Sequence, residues 1–126
     1  MTTVRDHRDL RAWQTAVDLG MKCYEISSRF PREERYGLTA QLRSAAVSIA
    51  SNIAEGNGRL TLGEYLNQLS AARGSIREVD THLEFALRLS YAPAQRITEV
   101  RVLVDAAAGL VTRLIMSLQR KAGNRR

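Results

Sequence analysis

The segment that decides the fold is YGLTAQLRSAAVSIASNIAEGNGR, residues 36–59. Between Tyr36 and Ala54 it carries one charged residue, Arg43, although it contains too many polar side chains for a simple core helix. A helix on the surface of a monomer normally presents a charged face to solvent. The segment is therefore predicted to be a helix that is enclosed on several sides, by its own bundle and by other helices or subunits.

At 100° per residue, this helix has three arcs of different chemistry. The apolar arc, which we interpret as the core face, contains Leu38, Leu42, Ala46, Ile49 and Ile53. The polar arc contains Gln41, Ser48, Asn52, Glu55 and Arg59, and the remaining arc is mostly small, with Ala40, Val47, Ala50 and Ala54. Buried polar groups need hydrogen-bond partners, and such networks can set register. The polar arc is therefore interpreted as a network at a helix or subunit seam, with ligand binding and catalysis as the alternatives.

Apolar spacing, together with the residues that cap or end helices, predicts four helices over about residues 9–30, 34–56, 62–91 and 93–121. Asp9 is expected to cap the first helix, and Thr61 with Glu64 forms a capping box for the third. Short connections favour antiparallel neighbours, so the prediction is an all-α, up-down-up-down four-helix bundle. The whole chain, residues 1–126, is expected to form one domain with a basic tail at 120–126.

The third helix carries small and polar residues that can face the polar arc of the second. Gly74 costs roughly 1 kcal/mol of helix propensity relative to alanine, which predicts that a close backbone approach offsets it. Ser75, Glu78 and His82 follow at helical spacing and can join the network. A merely tolerated Gly74 remains the alternative.

The run QLRSAAVSIASNIAEGNGR, with DLRAWQTAVDL and FPREERYGL before it and AARGSIREVDTHL and YAP after it, also carries a family resemblance. It resembles the four-helix bundle proteins encoded in intervening sequences of large-subunit (23S) ribosomal RNA genes, over roughly residues 6–118. It is similar as well to the accessory variability determinant proteins of diversity-generating retroelements. The resemblance implies an oligomeric helical fold, with a homopentameric barrel favoured, a nucleic-acid-associated role for some members, and no enzyme.

Composition places the chain among intracellular proteins. The single cysteine, Cys23, lies on an apolar stripe and is interpreted as a packed, inert thiol rather than a redox or metal site. No uninterrupted apolar run reaches the length of a membrane span, and the N-terminus lacks the apolar segment of a signal peptide. We expect a cytoplasmic protein that does not contact membranes.

Motifs for catalysis or cofactor binding are missing from the sequence. His7 and His82 are far apart and belong to no metal-ligand spacing, and no glycine-rich phosphate loop follows a strand. The glycines at 56 and 58 are explained as the end of the second helix, which is followed by the N-cap of the third. The chain is expected to have no catalytic residue, no metal site and no cofactor.

Positive charge is concentrated at the C-terminus. The net charge is +6 and, after Asp105, every charged residue is basic: Arg113, Arg120, Lys121, Arg125 and Arg126. These residues are predicted to contact phosphates without reading sequence, most strongly if an oligomer pools them. The predicted function is a non-catalytic accessory protein that binds RNA, DNA or a ribonucleoprotein such as a reverse transcriptase complex. The alternative is an interaction scaffold that binds no nucleic acid.

Overall fold

The computed structural model describes residues 6–123, and within that range it contains helices and turns but no strand. The four long helices are α1 (Arg11–Ser27), α2 (Leu38–Asn57), α3 (Leu62–Arg88) and α4 (Ala94–Gly123). Short 3-10 turns at His7–Asp9 and Arg32–Glu34 precede α1 and α2. The prediction of an all-α chain with four helices is confirmed.

The helices pack as the four corners of a bundle. α1 contacts α2 and α4, and α3 also contacts α2 and α4, whereas the described residues show no close backbone contact between α1 and α3 or between α2 and α4. Each helix therefore lies beside its neighbour in the chain, and α4 closes the bundle against α1. α2 and α4 occupy diagonally opposite corners, which leaves each of them an outer face.

The core is built from the apolar positions that helical spacing selects. On α2, the predicted core residues Leu42, Ala46, Ile49 and Ile53 are buried and Leu38 is half-buried. On α1, the buried side chains include Ala16, Leu19, Cys23 and Ile26. Trp13, Val17 and Tyr24 of the same helix line a groove between α1 and α2, although Trp13 also packs against the core. The fully buried side chains with the largest volumes are Leu19, Leu42, Ile49, Ile53, Leu69, Leu83, Ile97, Val79, Val111 and Cys23.

Several helix boundaries differ from the prediction. α1 begins at Arg11 and ends at Ser27, and Asp9 does not cap it; Leu10 holds the N-cap position without a side-chain hydrogen bond. Asp6 instead caps the first 3-10 turn, accepting from the Arg8 amide at 2.8 Å. The Thr61 half of the capping box is confirmed, because its hydroxyl oxygen accepts from the Glu64 amide at 3.2 Å.

α2 begins four residues later than predicted, at Leu38 rather than at 34. The segment from Arg32 to Glu34 forms a 3-10 turn, because Pro31 and Gly37 bracket a stretch too short for a helix of its own. Glu34 still serves the start of α2, since its carboxylate accepts a hydrogen bond from the Leu38 amide at 3.0 Å. It does so from outside the helix.

The last two helices also differ at their C-terminal ends. α3 stops at Arg88 rather than at 91, because Ser90 takes a left-handed conformation with φ of 60° and the Tyr91 amide bonds back to the Ala86 carbonyl. α4 continues to Gly123, beyond the predicted end at 121. Arg120 and Lys121 are therefore helical residues rather than part of a tail.

The close approach between α2 and α3 involves a different glycine from the one predicted. A Cβ atom on Gly56 would lie 2.9 Å from both the Gln68 Cβ and the Tyr65 Cδ1, so only glycine fits there. A Cβ on Gly74 would meet nothing within 4 Å, and Gly74 is exposed. The predicted contact at Gly74 is thus wrong within the chain.

An ion-pair network joins α3 to α4. The Arg101 guanidinium donates to the Asp80 carboxylate at 3.0 Å and to the Glu84 carboxylate at 2.8 Å, and Arg88 also contacts Glu84 at 2.9 Å. The hydrogen bonds from Arg101 and Arg88 lower the pKa of Glu84, so this carboxylate is held in its charged form. Arg101 thereby fixes the lateral position of α4 against α3.

α4 is also the helix that hydropathy singles out. It is long and apolar enough to cross a membrane by length and composition alone, with mean hydropathy 1.5 over 18 residues. Scanning for an uninterrupted apolar run misses this, because Asp105 and Arg113 divide it. In the bundle, Val104, Ala107 and Val111 face the core, whereas Val102 and Met116 are exposed.

Candidate functional site

The outer face of α2 is exposed in the single chain and carries no free charge over about three turns. Its exposed side chains from 40 to 51 are small or uncharged: Ala40, Gln41, Ser44, Val47 and Ser51. Arg43 does not contribute a free charge, because its guanidinium donates to the Ser27 hydroxyl at 2.8 Å and lies 4.7 Å from the centre of the Tyr24 ring. The charge that the sequence places on this helix is therefore used to bind α2 to α1.

An apolar groove runs along one side of this face, between α1 and α2. It has a volume of about 350 Å³, and its walls include Trp13, Met21, Tyr24 and Val47. Met21 and Val47 are 65% and 49% exposed, so apolar side chains continue from the groove onto the outer face. Contiguous apolar surface of this kind is typical of interaction sites.

A polar groove of about 500 Å³ lies on the other side, between α2 and α3. At its floor the Ser48 and Ser75 hydroxyls are hydrogen-bonded at 2.8 Å. The Asn52 amide donates to the Ser48 carbonyl and hydroxyl oxygens at 2.8 and 2.9 Å. These three residues form a satisfied cross-helix network, which fixes the register of α2 against α3.

The predicted polar arc is otherwise divided into separate groups. Glu55 and Arg59 form an ion pair with each other on the surface, one turn apart. Gln41, Glu78 and His82 line the polar groove and form no hydrogen bond with Ser48, Asn52 or Ser75 in the described chain. The structure therefore brings Ser48, Asn52 and Ser75 together and leaves Glu55 and Arg59 outside that network.

The predicted nucleic-acid-binding residues of α4 lie on its last three turns. Arg113, Arg120 and Lys121 are exposed, and none of them forms an ion pair within residues 6–123. The Arg113 side chain folds back along its own helix toward Gly109. A Cβ atom placed on Gly109 would lie 3.4 Å from the Arg113 guanidinium. The predicted residues Arg125 and Arg126 lie outside the described residues.

The opposite end of α4 is fixed by a contact with α1. Arg96 lies 3.7 Å from the Glu25 carboxylate near the end of α1. At 1.5 Å per residue, Arg120 is about 36 Å farther along α4. The C-terminal cations are thus far from the α1–α2 connection.

Sequence reasoning missed the α1–α2 connection as a functional candidate. Tyr36 is 84% exposed there, and the Arg35 guanidinium lies 5.1 Å from the centre of its ring. Arg29, Arg32 and Arg35 are also exposed. The signal in the sequence is the run RFPREERY, residues 29–36, which mixes arginines with aromatic residues but whose pattern alone indicates only the start of a helix.

Cys23 does not contribute a reactive group to any of these surfaces. It is fully buried in the core, and burial raises the pKa of its thiol to about 12. Within residues 6–123 no group of three or more histidine, cysteine, aspartate or glutamate side chains is arranged to hold a metal ion. The geometry agrees with the interpretation of Cys23 as a packed thiol.

Comparisons with known proteins agree on the fold. A family model described as 23S rRNA-intervening sequence protein matches residues 8–113. The chain is also similar to the crystal structure of a protein of unknown function from the S23 ribosomal protein family of Bacteroides thetaiotaomicron, with a TM-score of 0.76 and 16% sequence identity. That match covers 82% of this chain and 97% of the other. No curated protein matches the sequence.

Proposed function

Because the chain belongs to the family of 23S rRNA-intervening sequence proteins, we propose that it is a non-catalytic helical-bundle protein that binds nucleic acid. The observation that carries the proposal is the cationic end of α4, where Arg113, Arg120 and Lys121 are exposed without carboxylate partners in the described chain. Such cations bind phosphates through charge and counterion release, without reading bases. Its partner is RNA, DNA or a ribonucleoprotein such as a reverse transcriptase complex, in the cytoplasm and away from membranes.

The proposal includes the direction of the helices, up-down-up-down, with each antiparallel to its predecessor. Gly56 near the end of α2 lies against Tyr65 near the start of α3, and Ser48 is bonded to Ser75 farther along α3. This direction supports placing the start of α1 at the same end of the bundle as the end of α4. Arg8, Arg11 and Arg59 then add to the same cationic end, although Asp6 pairs with Arg8 and Glu55 with Arg59.

We further propose that copies of the chain associate through the outer face of α2, with a homopentameric barrel as the favoured form. The proposal is supported by the uncharged face from 40 to 51 and by the apolar groove beside it. Association there would remove apolar surface from water without burying an unpaired charge. A ring of subunits would place several cationic ends near one another. The same face supports the alternative function, an interaction scaffold that binds no nucleic acid.

Binding of a labelled 20-base-pair RNA duplex, measured by fluorescence anisotropy, tests the nucleic-acid proposal. We expect affinity to fall by orders of magnitude between about 50 and 200 mM salt if the assembly makes six or more phosphate contacts. Arg120→Gln/Lys121→Gln should weaken binding and reduce the slope of log affinity against log salt by about 2 for each subunit that contacts the duplex.

The matched control is Arg73→Gln/Arg77→Gln, which removes the same charge from an exposed stretch in the middle of α3. It should affect binding less than the α4 variant does. Equal losses in both variants would show that net charge alone drives binding. Absence of binding by the unaltered protein at 50 mM salt would favour the scaffold.

A further inference from the structure

The α1–α2 connection exposes an aromatic ring among arginines. Tyr36 is 84% exposed, more than any other aromatic side chain in residues 6–123, and Arg35 stacks near it at 5.1 Å. An aromatic ring this exposed gains nothing from core packing. Its face is therefore accessible to a ligand at the surface.

The backbone that carries Tyr36 is held firmly from both sides. The Glu34 carboxylate accepts from the Leu38 amide at 3.0 Å and from the Tyr91 hydroxyl at 2.8 Å. The Gly37 amide also donates to the Glu34 carbonyl at 2.9 Å. Tyr36 lies between these anchored residues, so a ligand that covers its ring would have little backbone to order.

The segment that carries the ring is rich in arginines. Arg29, Arg32 and Arg35 form no ion pair in the described part of the chain. Of the two carboxylates in the segment, Glu34 accepts the Tyr91 hydroxyl hydrogen, and this hydrogen bond raises the pKa of the Tyr91 phenol. Arg35 thus lies next to the exposed ring, and Arg32, four residues before Tyr36, forms no ion pair in the described residues.

We propose that Tyr36 is a stacking site for an unpaired base of single-stranded nucleic acid, with Arg32 and Arg35 contacting the adjoining phosphates. Exposed aromatic rings beside arginines bind single strands in this way, because every base has a face to stack and every nucleotide a phosphate. A duplex hides its bases and gains nothing from the ring. The site is separate from the cationic end of α4 and adds a second kind of contact to the phosphate binding proposed there.

The test compares a labelled ten-nucleotide oligoadenylate with an abasic oligomer of the same length, which has the same phosphates and no bases. In 50 mM salt the unaltered protein should bind oligoadenylate about 10-fold more tightly, within the range expected for stacking one base. Tyr36→Ala should abolish that preference and Tyr36→Phe should retain it. Arg120→Gln/Lys121→Gln should keep the preference, so this result is independent of the duplex measurement.

Equal binding of the two oligomers by the unaltered protein, or binding of neither, would overturn the proposal. A preference that survives in Tyr36→Ala would also overturn it. The melting temperature should be the same in Tyr36→Ala, because the ring is exposed. A change in molar mass by light scattering would assign Tyr36 to a contact between copies and likewise end the proposal.

Discussion

Glu34 shows how one residue can connect three parts of the bundle. Its two carboxylate oxygens accept separately, one from the Leu38 amide at the start of α2 and one from the Tyr91 hydroxyl after α3. The amide hydrogen bond, and then the one from Tyr91, lowers the pKa of Glu34. Because the folded pKa is depressed, the stabilisation is present above the ordinary carboxyl pKa and is lost as pH falls through the folded value.

Glu34→Gln should therefore lower the melting temperature at pH 7, since the amide keeps an acceptor oxygen but loses the charge. The difference from the unaltered protein should shrink as pH falls through the lowered pKa of Glu34, because the carboxylate is then itself protonated. Thermal unfolding followed by circular dichroism across this pH range measures the effect. Glu33→Gln removes the same charge without the two hydrogen bonds and should leave the melting temperature nearly unchanged; an equal loss in that control would refute the explanation.

Cys23 gives a second prediction at the scale of one residue. With a pKa of about 12 and a fully buried side chain, its thiol should be almost entirely protonated and inaccessible at pH 8. An aromatic disulfide reagent should label it at least about 100-fold more slowly in the native protein than in denaturant. Rapid labelling of the native protein would mean that the core around α1 opens readily.

Two glycines test the packing of α2 against α3 at the scale of elements. Gly56→Ala should destabilise the chain by about 1–3 kcal/mol, because the new methyl group meets the Tyr65 and Gln68 side chains at 2.9 Å. Gly74→Ala should stabilise it by about 1 kcal/mol, since the helix gains propensity and the methyl group meets nothing within the chain.

Urea unfolding of both variants measures these opposite signs. A destabilised Gly74→Ala would show that position 74 contacts something beyond the single chain, and dilution of the protein would then change its stability. An unaffected Gly56→Ala would show that α2 and α3 can separate without cost. The pair thus distinguishes packing within the bundle from packing between copies.

The same glycines show what sequence can predict about this fold. Helical spacing selected the core face of α2 correctly, from Leu42 to Ile53, because periodicity depends only on the helix itself. Choosing between Gly56 and Gly74 required the identity of the residues across the interface, which no local pattern contains. The start of α2 was placed four residues too early, because helical periodicity does not reveal the separate turn between Pro31 and Gly37.

The candidate site residues also differ in whether local sequence patterns predict them. The Ser48 and Ser75 pair could be expected, because both lie on polar arcs of neighbouring helices. The polar arc alone did not predict that Glu55 and Arg59 lie outside this pair. They form an ion pair with each other one turn apart on the surface, so neither takes part in the network across the helices. The exposed ring of Tyr36 was hidden in the sequence, where an aromatic residue before a helix resembles a core residue.

At the scale of the whole molecule, the diagonal arrangement of the helices gives the bundle two unlike outer faces. α2 presents small, uncharged side chains beside an apolar groove, whereas α4 presents Val102 and Met116 together with Arg113. Two different faces on opposite corners favour head-to-tail contacts, and such contacts form rings when the rotation closes. The pentameric barrel proposed above is one such ring.

Charge on the outer face of α2 tests this assembly directly. Ser44→Glu/Val47→Glu places two carboxylates at exposed positions, so the single chain should fold as before, whereas a contact between copies would have to bury them. We expect size-exclusion chromatography with light scattering to show an oligomer for the unaltered protein and a smaller species for this variant. Asn67→Glu/Thr81→Glu adds the same charge at exposed positions of α3 and should leave the molar mass unchanged. A monomeric unaltered protein, or an oligomer that tolerates both pairs equally, would mean that water and not a second subunit covers the α2 face.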